Sequence, residues 1–379
     1  MGISAHRFSC SGRWSSAKLR GRVLLALTAL LLLVLLPLLP LLWPLLWWSR
    51  WYVLHPSWRQ RPLEPPAQPP PNCRIHKLSH GDTFVQWDLP PPTSSDSKPS
   101  KPSEPSEPWI VLIHGNMGST RYLDELAAVL TQRGRRVLRY DLHGRGYSAC
   151  GGFTHTWQLF VGQLAEVLFA QRVPLPVDLV GYSIGAQVAG LFCTVHAHAV
   201  RSVVLLCPAV VTPAWLPTLL QIAPLRWLVG WAVTNLAQDR DLYAGDWLHL
   251  AAEDAATREA SLSRLRKLFE IELDRFRHEP ALARTFGLSM SSMPFDQRPD
   301  LWRALGESAR QSGVRVHALC AERDAIVPGA AAADFLSKVL GESLHSLQLL
   351  AGHGHSLPYE SPDECTELLL GCLGDQRRT

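Results

Sequence analysis

The residues Gly181-Tyr182-Ser183-Ile184-Gly185 carry the pattern G-x-S-x-G. An apolar run, Val177-Asp178-Leu179-Val180, precedes them. A stretch suited to a buried helix, Ala186-Gln187-Val188-Ala189-Gly190-Leu191-Phe192, follows. Strand, sharp turn and helix in that order lift a serine hydroxyl above a sheet, and the two glycines let backbone segments meet where a Cβ would clash. Ser183 is the candidate nucleophile. A hydroxyl attacks well only beside a base that takes its proton, so an imidazole and a carboxylate to orient it are needed. Gly352-His353-Gly354-His355 is a glycine-rich loop that can present such an imidazole, and it leaves His353 and His355 both open. In Ala321-Glu322-Arg323-Asp324 the carboxylate assigned is Asp324 rather than Glu322, because the turn into Val327-Pro328 follows it directly. His114-Gly115-Asn116-Met117-Gly118-Ser119 is a turn whose glycines let N–H groups point inward. The backbone N–H of Asn116, with that of Ile184, is placed to hold an oxyanion. Asp141 and His143, in Asp141-Leu142-His143-Gly144-Arg145-Gly146-Tyr147-Ser148, read as turn formers and not as a second catalytic pair.

These groups need elements to hold them. Strands are predicted at 84–89, 109–113, 136–142, 177–182, 202–207, 314–320 and 346–350. Helices are predicted at 122–133, 157–170, 184–198, 330–340 and 363–373. Short apolar strands alternating with helices imply an α/β fold with a mostly parallel sheet covered on both faces. In such sheets ligands bind at the carboxyl ends of the strands, which is where each candidate group stands. Residues 212–293 break the alternation and read as a helical cap or lid, in which Trp215, Trp227 and Trp231 are expected to face the substrate.

The order Ser183, Asp324, His355 is that of α/β-hydrolases. On His114-Gly115, Asp141 to Ser148, the 181–185 turn, Asp324 with Val327-Pro328, and Gly354-His355 followed by Glu360-Ser361-Pro362, the chain resembles the serine hydrolases of that superfamily from about Phe84 onward. In the family the last motif is a Gly-His pair whose histidine is the base, which selects His355. The resemblance implies an α/β-hydrolase fold and hydrolysis of a carboxylic ester, lipid or acylglycerol-like, through an acyl-enzyme on Ser183. It implies no metal and no cofactor. Three features depart from the family pattern: Ala186-Gln187 stands where many relatives have a further glycine, the segment before Asp324 lacks a frequent glycine, and Glu360 stands five residues after His355 where a transacylase-like branch has aspartate. Carbon–carbon bond hydrolases and acyltransferases share the triad, and a non-catalytic scaffold shares the fold.

The 379 residues are 47% hydrophobic and 18% charged, a globular balance with an apolar excess. The excess is local. Val23 to Trp48 holds no charged residue and suffices for a transmembrane anchor, with Trp43, Trp47, Trp48 and Trp51 as an interfacial belt. Arg7, Arg13, Lys18, Arg20 and Arg22 in the basic segment 1–22 outnumber Arg50, Arg59 and Arg61 beyond the span. That asymmetry favours a cytoplasmic N-terminus with the body on the lumenal or outer side. The same acid-free, Arg- and Ser-rich segment equally fits a mitochondrial transit peptide. Residues 49–72 read as a proline-rich stalk, 73–379 as the hydrolase body, and 90–108 as a disordered loop within it. The net charge of +4 owes much to the N-terminal cluster and points to no nucleic-acid partner. Eight cysteines without a C-x-x-C pair suggest neither a zinc site nor redox chemistry.

Overall fold

Eight strands form one sheet in a computed structural model of the chain: β1 (Cys73–Leu78), β2 (Gly81–Asp88), β3 (Ile110–Ile113), β4 (Val137–Tyr140), β5 (Val177–Tyr182), β6 (Val200–Leu206), β7 (Arg315–Ala321) and β8 (Leu344–Leu350). The structure describes residues 72–91, 107–116, 118–149, 155–213, 215–222 and 280–374, with isolated positions between 225 and 263. The main body lies in the compact unit Arg59–Thr379. The strand order is β1-β2-β4-β3-β5-β6-β7-β8. β1 and β2 pair antiparallel, β2 joins β4 antiparallel, and every other pair is parallel.

Side chains alternate across the sheet, as strand geometry requires. On one face Val111, Ile113, Val177, Leu179, Val203 and Leu205 join a core with α2 (Trp157–Ala170), α3 (Ile184–His196), α6 (Pro299–Ser312) and α7 (Gly329–Leu340). On the other face Ile110, Leu112, Val180, Tyr182, Val204 and Leu206 pack with α1 (Asp124–Gln132) and α9 (Pro362–Leu373). β3, β5 and β6, neighbours in the sheet, therefore have both faces buried, which explains why their sequences are mainly apolar.

Helix α2 has the bounds its sequence predicts, because Thr156 caps it: Thr156 Oγ1 accepts the Leu159 N–H at 3.4 Å. Among strands and α-helices, three have no counterpart in the sequence reading: β1, α6 and the four-residue helix α8 (Leu357–Glu360). β1 is an edge strand in which Arg74 and Lys77 interrupt the apolar pattern. α6 begins on Pro299, ends on Gly313 in the left-handed region, and buries Trp302 and Leu305 while its other faces are charged. α6 packs on α3 and so belongs to the sheet-covering layer. Of the expected cap, α4 (Trp215–Gln221) and α5 (Pro280–Ser292) are described, and they pack against each other.

Among the described residues no helix is long and apolar enough to cross a membrane. The basic segment 1–22, the expected anchor 23–48, the stalk as far as 71, and 92–106 of the expected disordered loop lie outside the described residues.

Candidate active site

The turn after β5 is forced by contacts. A Cβ on Gly181 would lie 2.2 Å from the Gly185 carbonyl oxygen, and one on Gly185 would lie 2.3 Å from that of Ile113. Neither glycine is in the left-handed region, so lack of room and not torsional freedom demands them. Ser183 is in that region, with φ of 56°. A non-glycine residue there costs about 1–2 kcal/mol. The strain is held by backbone bonds on both sides: Ser183 N–H donates to Leu206 O at 3.0 Å, and Ser183 O accepts from Ala186 and Ala209, each at 3.1 Å. The side chain is thereby raised at the N-terminus of α3.

The loops after β7 and β8 meet it. Ser183 Oγ is 3.1 Å from His355 Nε2, and His355 Nδ1 is 2.7 Å from Asp324 Oδ2. Asp324 Oδ1 accepts the N–H groups of Ile326 at 2.9 Å and Val327 at 2.6 Å, so the carboxylate is fixed by the turn it opens. All three side chains are buried. The competing residues stand apart. Glu322 is exposed and accepts the Gly352 N–H at 3.1 Å. His353 faces Glu364 at 3.1 Å. Asp141 spends its carboxylate on the N–H groups of Thr120 and Tyr147, each at 2.7 Å, which makes it a turn residue.

Asn116 and Ile184 line the same cavity as Ser183 and His355. The Ile184 N–H is the first of α3, where helix geometry supplies no intrahelical acceptor. The turn bearing Asn116 is fixed by His114, whose Nε2 accepts the Leu142 N–H at 2.9 Å and whose Nδ1 therefore donates to Gly115 O at 2.7 Å. Two supports were not read from sequence. The Tyr182 hydroxyl donates to the His355 carbonyl at 3.0 Å, and burial holds that phenol far above its ordinary value, so it stays a neutral donor. Arg145 donates to both oxygens of Asn116. An aromatic next to the serine and an arginine between two turn glycines were the only sequence signals for these contacts.

The cavity has a volume of about 510 Å³ and is walled mainly by apolar side chains, among them Ile184, Val211, Leu216, Phe286, Met290 and Phe295. Leu216, Phe286 and Met290 come from the two ends of the cap insertion. No lysine, arginine, aspartate or glutamate is among the described residues that line it. Trp215 does not line it either. It is 63% exposed, because α4 turns Leu216 and Leu220 inward and Trp215 outward. Trp227 and Trp231 lie outside the described residues. No group of three or more His, Cys, Asp or Glu side chains suited to a metal occurs among the described residues.

The model of the Alpha/beta hydrolase family matches residues 110–368, more than half of the chain. The chain belongs to the alpha/beta hydrolase family. A proline iminopeptidase from Heyndrickxia coagulans is 31% identical over 108 residues, which are 28% of this chain and 37% of that protein. The matched stretch thus spans little more than a third of that relative's length. Among solved structures, the alpha/beta hydrolase MGS-M2 from a Medee basin deep-sea metagenome library aligns with a TM-score of 0.53 at 20% identity, covering 81% of this chain and 99% of its own. An esterase from Exiguobacterium antarcticum aligns with a TM-score of 0.52 at 15% identity, over 79% and 98% of the two chains. An enol-lactonase from Burkholderia xenovorans aligns with a TM-score of 0.54 at 16% identity, over 79% and 100%. At such identities these likenesses carry the fold alone.

Proposed function

We propose that this alpha/beta hydrolase cleaves carboxylic esters with an apolar acyl group, by a Ser183–His355–Asp324 triad. The observation that carries the reading is the continuous relay from Asp324 through His355 to Ser183, ending in a cavity whose described lining is mainly apolar. His355 Nε2 takes the Ser183 proton as Oγ attacks the ester carbonyl. The N–H groups of Asn116 and Ile184 hold the resulting oxyanion. Collapse breaks the bond to the alcohol, which leaves with the proton from His355. Water, deprotonated by the same imidazole, then releases the acid and restores Ser183. Each step uses side chains already in place, and none draws on a metal or cofactor.

The cavity supports an acyl substrate over one bearing a free amino terminus. An α-ammonium group brought out of water needs a carboxylate partner, and the described lining offers none. Lipid or acylglycerol-like esters fit the apolar wall. The uncharged run Val23 to Trp48 supports a membrane anchor beside such substrates, and extraction of the full-length and 49–379 proteins with alkaline carbonate tests it. A panel of p-nitrophenyl esters, monoacylglycerols, lysophospholipids and proline-β-naphthylamide tests the substrate class. Hydrolysis of the esters, abolished in Ser183→Ala, is the expected result. Turnover of the naphthylamide alone would refute it.

A further inference from the structure

Arg145 is 2% exposed and stands in the turn after β4, outside the relay itself. Its Nε donates to the Asn116 carbonyl at 2.8 Å, and one terminal nitrogen donates to Asn116 Oδ1 and to Ser289 Oγ, the latter at 2.6 Å. The other terminal nitrogen donates to the His143 carbonyl at 2.9 Å, and the guanidinium lies 5.4 Å from the centroid of the Phe160 ring. A guanidinium is a planar fork with donors in fixed directions, so these bonds specify its orientation and not merely its charge.

The two bonds to Asn116 hold different parts of one residue. Gripping the carbonyl fixes the peptide that follows the Cα, and gripping Oδ1 fixes the side chain. Together they stop residue 116 from rotating, and Asn116 lines the cavity with Ser183. The third bond reaches Ser289 on α5, whose neighbours Phe286 and Met290 form part of the cavity wall. One buried cation thus joins the turn after β3, the turn after β4 and the cap helix.

We propose that Arg145 is the positioning residue of the oxyanion hole: it holds the Asn116 N–H where the oxyanion forms and ties it to the wall that contacts the acyl group. The proposal rests on the ester-hydrolase reading above. Lysine keeps the charge but has a single nitrogen, which cannot span both Asn116 oxygens and Ser289.

The test uses full-length wild type, Arg145→Lys and Arg145→Met. Fluorophosphonate labelling to completion counts active sites, and p-nitrophenyl butyrate turnover is expressed per labelled site. Loss of one oxyanion donor costs about 10²–10³-fold, so misplacing it lowers kcat per site by roughly 10- to 100-fold in Arg145→Met, less in Arg145→Lys, with KM within about threefold. Inhibition by an alkyl trifluoromethyl ketone, whose serine adduct puts an oxyanion in the hole, weakens by the same factor as kcat/KM. A folding role alone lowers the labelled fraction and leaves kcat per site and ketone inhibition unchanged, and that result overturns the proposal. If Arg145→Met does not fold, Arg145→Lys is judged by the same two readouts. Absence of labelling and turnover in wild type removes the hydrolase reading, and the proposal with it, a different result from unchanged per-site turnover.

Discussion

Asp324→Asn replaces one carboxylate oxygen by an amide nitrogen and leaves the shape unchanged. The structure decides which oxygen is lost. Asp324 Oδ1 accepts two backbone N–H groups, from Ile326 and Val327, whereas Oδ2 accepts from His355. The asparagine therefore keeps its oxygen towards the turn and points its NH₂ at His355 Nδ1. That nitrogen must then be the unprotonated one, Nε2 carries the hydrogen, and the imidazole can no longer take the Ser183 proton. The flipped amide would restore the tautomer but leave the N–H groups of Ile326 and Val327 facing a donor, at about 1–3 kcal/mol each, or at least about 2 kcal/mol in all. At that lower bound the flipped form is about 3% of the population, since each 1.36 kcal/mol is a factor of ten. Activity should fall at least about 30-fold, towards the roughly 10⁴-fold loss that the wrong tautomer causes in a serine protease. The assay is steady-state hydrolysis of a p-nitrophenyl ester per mole of folded protein, with the melting temperature measured alongside. Glu322→Gln is the control: its carboxylate is exposed, and activity should stay within about twofold. More than a tenth of wild-type activity in Asp324→Asn, or an equal loss in Glu322→Gln, would refute the reasoning.

Gly185→Ala puts a Cβ 2.3 Å from the Ile113 carbonyl oxygen and 2.7 Å from that of His114, both rigid backbone, so the soluble yield should collapse or the melting temperature drop by more than about 10 °C, read by circular dichroism. Tyr182→Phe leaves the His355 carbonyl without its 3.0 Å donor, and should cost about 1–3 kcal/mol of stability in urea melts while leaving the chemistry qualitatively intact. Burial, with His345 and Arg315 nearby, lowers His317 to about 4, while the unfolded chain takes up that proton near 6.5. The unfolded state therefore binds more protons between these values, and stability should fall by about 3 kcal/mol as pH drops from about 6.5 to about 4, a slope absent in His317→Leu. Cys193 and Cys320 are buried with thiols pushed up to about 12, so neither should react with a thiol reagent at pH 8 until the protein is unfolded.

Much of the fold and the three relay positions are legible in the chain, for a reason visible in particular residues. β5 and the first ten residues of α3 are buried, so their sequences are mainly apolar, and the turn between them has room only for glycine at 181 and 185. Asp324 is marked by the turn it caps. His355 is separated from His353 by the family motif and, in the structure, by which ring reaches Ser183. The less legible parts are those decided at long range. β1 pairs along only one edge, so charged residues are tolerated and no apolar run betrays it. α6 carries clear end signals at Pro299 and Gly313, yet a narrow stripe around Trp302, Leu305 and Ala309 is all that faces the core. Trp215 is the converse case: its size suggests a substrate contact, whereas the helix phase turns its neighbour Leu216 to the site and leaves Trp215 exposed. The Arg145–Asn116 grip joins residues 29 apart in sequence and leaves no local pattern.

The central claim is that Ser183 is a nucleophile activated by His355. The most direct measurement is covalent labelling of the folded full-length protein with a fluorophosphonate, followed by mass spectrometry of its peptides. One adduct is expected, on Ser183, lost in Ser183→Ala and slowed at least about 100-fold in His355→Ala, in keeping with general-base assistance of about 10²–10⁴-fold. A folded wild-type protein that acquires no adduct, or acquires it at full rate in His355→Ala, would contradict it.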